Sequence, residues 1–146
     1  MSETCDWDDL VQRDGLHYKK FTDVPFTGKT TGQQQGKIKN GKREGHWVSY
    51  HENGQLWMKG DFKNGEEEGP WVFYYDSGEL RKNGEFKNGE EDGPWEYYYY
   101  NDHGQLESKD NYENGVKPLF LAVGIIYRYA HFMASAPKSC VWTVAE

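Results

Sequence analysis

The sequence predicts an all-β protein, a single-layer antiparallel meander of hairpin repeats. Gly36, Gly60 and Gly84 stand 24 residues apart, Trp47, Trp71 and Trp95 keep the same step, and Asn-Gly pairs recur in phase with both. Independent markers that share one period identify an internal repeat before any element is assigned. Residues 60–71 (GDFKNGEEEGPW) and 84–95 (GEFKNGEEDGPW) agree at 10 of 12 positions, differing only at Asp61/Glu85 and Glu68/Asp92. The expected organisation is a mobile acidic leader over 1–14, a repeat domain over 15–118, and an apolar tail over 119–146. Units within the repeat domain fall at about 36–59, 60–83 and 84–109, with a partial copy at 110–115.

After the leader, residues 16–31 read as one further hairpin turning at Asp23-Val24-Pro25 and closing the N-terminal edge, which would otherwise invite aggregation. From there each unit carries two turn signals. Asn40-Gly41, Asn64-Gly65, Asn88-Gly89 and Asn114-Gly115 form one series; Asn53-Gly54, Ser77-Gly78 and His103-Gly104 form the other. Asn-Gly between apolar runs is the strongest short hairpin signal, because a type I′ turn needs positive φ at both central residues. Lys63 with Glu66, and Lys87 with Glu90, face each other across two of these turns and reinforce the register.

Strand alternation gives Leu56, Met58, Gly60 and Phe62 one parity, repeated by Leu80, Lys82, Gly84 and Phe86. Each unit thereby offers a Trp to one face and a Tyr, at 50, 74 or 98, to the other. Trp71 to Gly78 is 7 residues and Trp95 to Gly104 is 9, so a bulge or longer loop is expected near Tyr97–Tyr100. The apolar stretch 119–136 is short for a membrane span and holds Arg128 centrally. It is expected to cap the last hairpin as a helix or a strand, with helix preferred, as repeat arrays need capped ends.

Composition narrows the function. The aromatic share is 16% in a chain only 36% hydrophobic, so Trp, Tyr and Phe must supply the burial that aliphatic residues usually supply. A net charge of −7 repels phosphate backbones and argues against nucleic acid. Cys5 and Cys140 have no neighbouring thiol, so no disulfide framework or zinc site is indicated, and the acidic N-terminus lacks an export signal; a cytoplasmic location is expected. His17, His46, His51, His103 and His131 show no ligand spacing and read as surface or turn residues. The Gly28-Lys29-Thr30 triplet imitates a phosphate-binding loop, but Asp23 stands where the first glycine is required. No metal, cofactor or catalytic residue is proposed.

The pattern G-x-W-x-x-Y-x-x-N-G-x-L followed by G-x-F-K-N-G resembles the variant MORN repeat of the YwqK-type antitoxin-like family. Gly45, Trp47, Tyr50, Asn53, Gly54, Leu56, Gly60, Phe62, Lys63, Asn64 and Gly65 carry it in the first copy. The resemblance covers about 16–115, including Pro25-Phe26-Thr27-Gly28, and stops before the tail. It implies a single-layered antiparallel sheet, no enzymatic activity and a role in protein contact; the antitoxin label would mean masking a toxic enzyme.

The function expected is a non-catalytic protein-binding module, an antitoxin or immunity-type inhibitor that covers a basic partner. Tyr50, Tyr74 and Tyr98 would form the contact face, and Glu66, Glu67, Glu68, Glu90, Glu91 and Asp92 one acidic stripe along an edge. The alternative is a structural or membrane-peripheral scaffold, anchored or self-associated through 119–136.

Overall fold

Residues 3–100 and 104–118 are described by the computed structural model. In chain order the strands are β1 (Thr4–Asp6), β2 (Leu10–Arg13), β3 (Leu16–Lys19), β4 (Gly28–Thr31), β5 (Gln34–Lys39), β6 (Lys42–Tyr50), β7 (Leu56–Lys63), β8 (Glu66–Tyr74), β9 (Leu80–Lys87), β10 (Glu90–Tyr98) and β11 (Leu106–Tyr112). A 3-10 turn, Trp7–Asp9, joins β1 to β2, and no α-helix occurs among the described residues. Nine strands make one sheet in the order β1-β4-β5-β6-β7-β8-β9-β10-β11, and β2 with β3 makes a separate hairpin. The all-β meander of consecutive hairpins is therefore as the sequence predicts.

The turn chemistry accounts for the register. Asn40, Asn64, Asn88 and Asn114 all have φ between 49° and 54°, and each following glycine is also at positive φ, as the type I′ turn requires. Each turn is then tied to the hairpin before it. The amides of Gly41, Gly65, Gly89 and Gly115 donate to the carbonyls of Phe26, Arg43, Glu67 and Glu91 at 2.8, 2.9, 3.0 and 2.9 Å.

A sheet one layer thick ordinarily cannot bury a tryptophan, yet Trp47, Trp71 and Trp95 are 1%, 1% and 0% exposed. A bulge repeated in β6, β8 and β10 explains this. Glu68 pairs with Asp61 and Val72 with Lys59, so residues 69–71 stand opposite Gly60 alone; residues 45–47 and 93–95 stand opposite Gly36 and Gly84 in the same way. Each bulge opens on a glycine at positive φ (Gly45, Gly69, Gly93), which tips the next indole over the glycine of the preceding strand. A Cβ at Gly60 or Gly84 would collide with the ring of Trp71 or Trp95. With backbone as a floor, the indoles continue edge-to-face through Phe62 and Phe86 at centroid spacings of 5.9, 5.0, 5.9 and 5.0 Å. The offset geometry adds to area burial. Two cations cover the column: Arg43 lies 5.1 Å from Trp47 and 5.0 Å from Phe62, and Lys82 lies 4.6 Å from Trp95 and 3.1 Å from Glu91.

The N-terminal region departs from expectation. Residues 4–13, read as a mobile leader, are instead built into the protein. Thr4–Asp6 pairs parallel with β4, Cys5 is buried, and Trp7 packs edge-on to Trp47 at 5.8 Å. The hairpin expected over 16–31 does not form: β3 pairs with β2, β4 pairs with β5 and β1, and only a bridge from Tyr18 to Pro25 joins the expected arms. Asp14-Gly15, with φ of 49° and 76°, is the turn actually used, and it carries a stronger hairpin signal than Asp-Val-Pro. The edge is closed by β1 rather than by that hairpin. His17, read as a surface histidine, is 6% exposed; its backbone and its Nδ1 both reach the Gly41 carbonyl, at 2.8 and 2.9 Å.

At the other end a register shift does occur between Tyr97 and Tyr98, and it recurs at Ser49/Tyr50 and Phe73/Tyr74, so it belongs to every unit. The additional residues after Tyr100, and the capping role expected for 119–136, lie outside the described residues.

Candidate interaction face

Opposite the tryptophan column the sheet presents a second face. Cross-strand partners point to the same side of a sheet, and Val48, Lys59, Val72, Asn83, Glu96 and Lys109 are successive partners from β6 to β11. Two of the tyrosines singled out by the sequence join this row. The Lys59 ammonium sits 6.0 Å from the Tyr74 ring centroid, and the Tyr98 hydroxyl donates to Glu96 Oε2 at 3.0 Å. Tyr50 occupies the equivalent position in the first unit, and all three tyrosines are half-buried.

Lys109 Nζ lies 2.7 Å from Glu96 Oε1. The lysine and then the Tyr98 hydroxyl hold the Glu96 carboxyl below the usual carboxylate range, and Tyr98 is raised by burial and by that carboxylate. Between the second and third units Glu96 and Lys109 border a groove of about 370 Å³, walled also by Pro70, Val72, Asn83, Glu85 and Pro94. Asn83 Oδ1 is buried there without a hydrogen-bond partner among the described residues.

The six acidic residues expected as one stripe are divided. Strand alternation sends Glu67 and Glu91 to the tryptophan side, where they pair across the strands with Phe62 and Phe86. Glu91 there holds Lys82. Glu68 and Asp92 lie on the tyrosine side, and their carboxylates accept from the turn amides of Asn88 and Asn114 at 3.0 and 3.4 Å, as Glu44 accepts from Asn64 at 2.9 Å. Glu66 and Glu90 remain exposed beside their turns. The members of each triplet thus face different sides of the sheet, a division that the one-dimensional pattern does not contain.

Sequence reasoning named the tyrosines but missed Pro70, Val72, Pro94, Glu96 and Lys109. Their spacing from Tyr74 and Tyr98 was visible, but the bulge that sets their face was not. The family model of the MORN repeat variant matches residues 43–64 and 67–88. Each matched window opens just before a bulge, carries its buried Trp, and ends at or beside the next Asn-Gly turn. No curated protein and no solved structure matches the chain.

Proposed function

We propose that this protein is a non-catalytic protein-binding module whose partner docks on the tyrosine face. The observation that carries the reading is the groove beside Val72, which joins proline and valine walls to the fixed charges of Glu96 and Lys109, on the face that also carries the half-buried Tyr74 and Tyr98. Large amphipathic rings beside apolar walls, with charges at the rim, suit a protein interface. By strand alternation Glu44, Asp61, Glu66, Glu68, Glu85, Glu90, Asp92 and Glu96 share this side with Lys37, Lys39, Lys42, Lys59, Lys63, Lys87 and Lys109, so the face mixes both signs and the acidic excess is that of the chain, −7 overall. That balance favours a basic partner, and the antitoxin-like form of the reading is an inhibitor that works by covering such a surface.

Affinity capture from the native host tests this. Tyr74→Ala with Glu85→Lys is expected to abolish capture of a partner retained by the unaltered protein, at a cost of about 2 kcal/mol or more in binding. The melting temperature should change little, because both side chains lie outside the tryptophan column. Retained capture by the double variant, or capture indifferent to salt, counts against the face.

A further inference from the structure

The chain is acidic, yet one cavity is lined with cations and neutral donors. It measures about 130 Å³ and is formed where the β2–β3 hairpin meets the turn edge of the first repeat. Gln12, Gly15, His17, Lys42, Arg43 and Gly65 line it, and no carboxylate is among them. Three elements meet here. The Asp14-Gly15 turn delivers Gln12 and His17, the start of β6 delivers Lys42 and Arg43, and the Asn64-Gly65 turn closes the side, with its Gly65 amide on the Arg43 carbonyl.

The Arg43 guanidinium is held in place independently of any ligand. It lies 5.2, 5.1 and 5.0 Å from the rings of Trp7, Trp47 and Phe62, and its Nη2 donates to Gln34 Oε1 at 3.0 Å. Its Nε is buried with no hydrogen-bond partner among the described residues. An unsatisfied buried donor on a charged group is costly, and an ionised oxygen is its strongest complement. His17 is almost wholly buried and fixed through Nδ1 on the Gly41 carbonyl. Glu67, the carboxylate whose charge reaches Arg43, sits on β8 and does not line the cavity.

We infer that this cavity is a binding site for a small tetrahedral oxyanion of the phosphate type, held by Lys42 and Arg43 with Gln12 as a neutral donor and the His17 ring as a wall. Donors fixed in a partly desolvated site bind such an ion with little reorganisation, and donors arriving from both β2 and β6 suit a tetrahedral ion better than a planar carboxylate. The ion is either free or carried on a phosphorylated side chain of a partner. The inference does not depend on the groove of the tyrosine face, which has other lining residues.

The test is an NMR titration of the full chain with inorganic phosphate at constant ionic strength and neutral pH. Saturable shifts are expected at the Gly15 and Gly65 amides and the His17 ring, with none at Gly84 or Trp95. Lys42→Gln should weaken binding about fivefold or more, the equivalent of one charged contact. Gln12→Ala, at an exposed position, should give a smaller loss and serves as the second variant if Lys42→Gln disturbs the spectrum. A phosphoserine peptide that binds more tightly than phosphate, while its unphosphorylated form does not bind, identifies a phosphorylated partner; equal binding identifies the free ion. Shifts that stay linear with phosphate, or an unchanged affinity in both variants, overturn the site.

Discussion

The repeat array and the N-terminal clasp are held together by different arithmetic. From β6 to β11 one set of interactions recurs: an indole over a glycine, an edge-on phenylalanine and an Asn-Gly turn whose amide is taken by a carboxylate one hairpin back. In the clasp, residues 3–31, each device occurs once: one parallel strand, one buried histidine and one Trp7 closing the aromatic column. In such an array, the loss of one central unit interrupts contacts on both sides, whereas losing the clasp exposes only the first unit. The clasp is the cap of the array, and its cost should be local.

The largest effect separating the two regions is expected from Trp71→Ala. Emptying a wholly buried central position should cost about 3–5 kcal/mol in chemical denaturation, whereas Trp7→Ala, half-buried at the end of the column, should cost about 1–2 kcal/mol. Equal losses would break the comparison. Next in size is Gly60→Ala, which places a methyl group against the Trp71 ring. Overpacking of about 1–3 kcal/mol is expected there, and a neutral result would show that the indole does not rest on that backbone.

The smallest effect is the most local. Burial first, and the Arg43 charge after it, hold His17 below its ordinary value of 6.5, against the opposing pull of the Gly41 carbonyl. Above 6.5 the ring is neutral in both folded and unfolded chains. As the pH falls through 6.5 toward the lower folded value, the unfolded chain takes up a proton that the folded one refuses, so stability is lost across that window and levels off below it. Hydrogen exchange should register this loss in β2 and β3 before β8 to β10, and His17→Gln should abolish it. Simultaneous weakening of all strands would sharpen the comparison differently, by showing that clasp and array open as one unit.

These contrasts follow how much of each region could be read in advance. In the array, Asn88-Gly89 specifies its turn through the backbone freedom of two adjacent residues, and Trp71 and Trp95 announce their equivalence by sharing a period. In the clasp, Asp14-Gly15 carried the same kind of signal, but nothing repeated it, and the acidic residues around it suggested a solvated leader. The candidate face was half legible. Tyr74 and Tyr98 stood out by parity, while Val72, Pro94 and Lys109 depended on a bulge whose glycine, Gly69 or Gly93, looks in sequence like any other turn glycine.

The sequence by itself determined the all-β class, the step of 24 residues, the place of every Asn-Gly turn and the assignment of Trp and Tyr to opposite faces. Each of these follows from the chemistry of residues adjacent or two apart along the chain. Only the tertiary structure decided that β1 would pair in parallel with β4, that the acidic triplets would be divided between two faces, and that His17, Lys42 and Arg43 would share one cavity. Those outcomes depend on which strands lie side by side and where the bulges shift their register. That is a property of contacts between distant residues, to which the local pattern is blind.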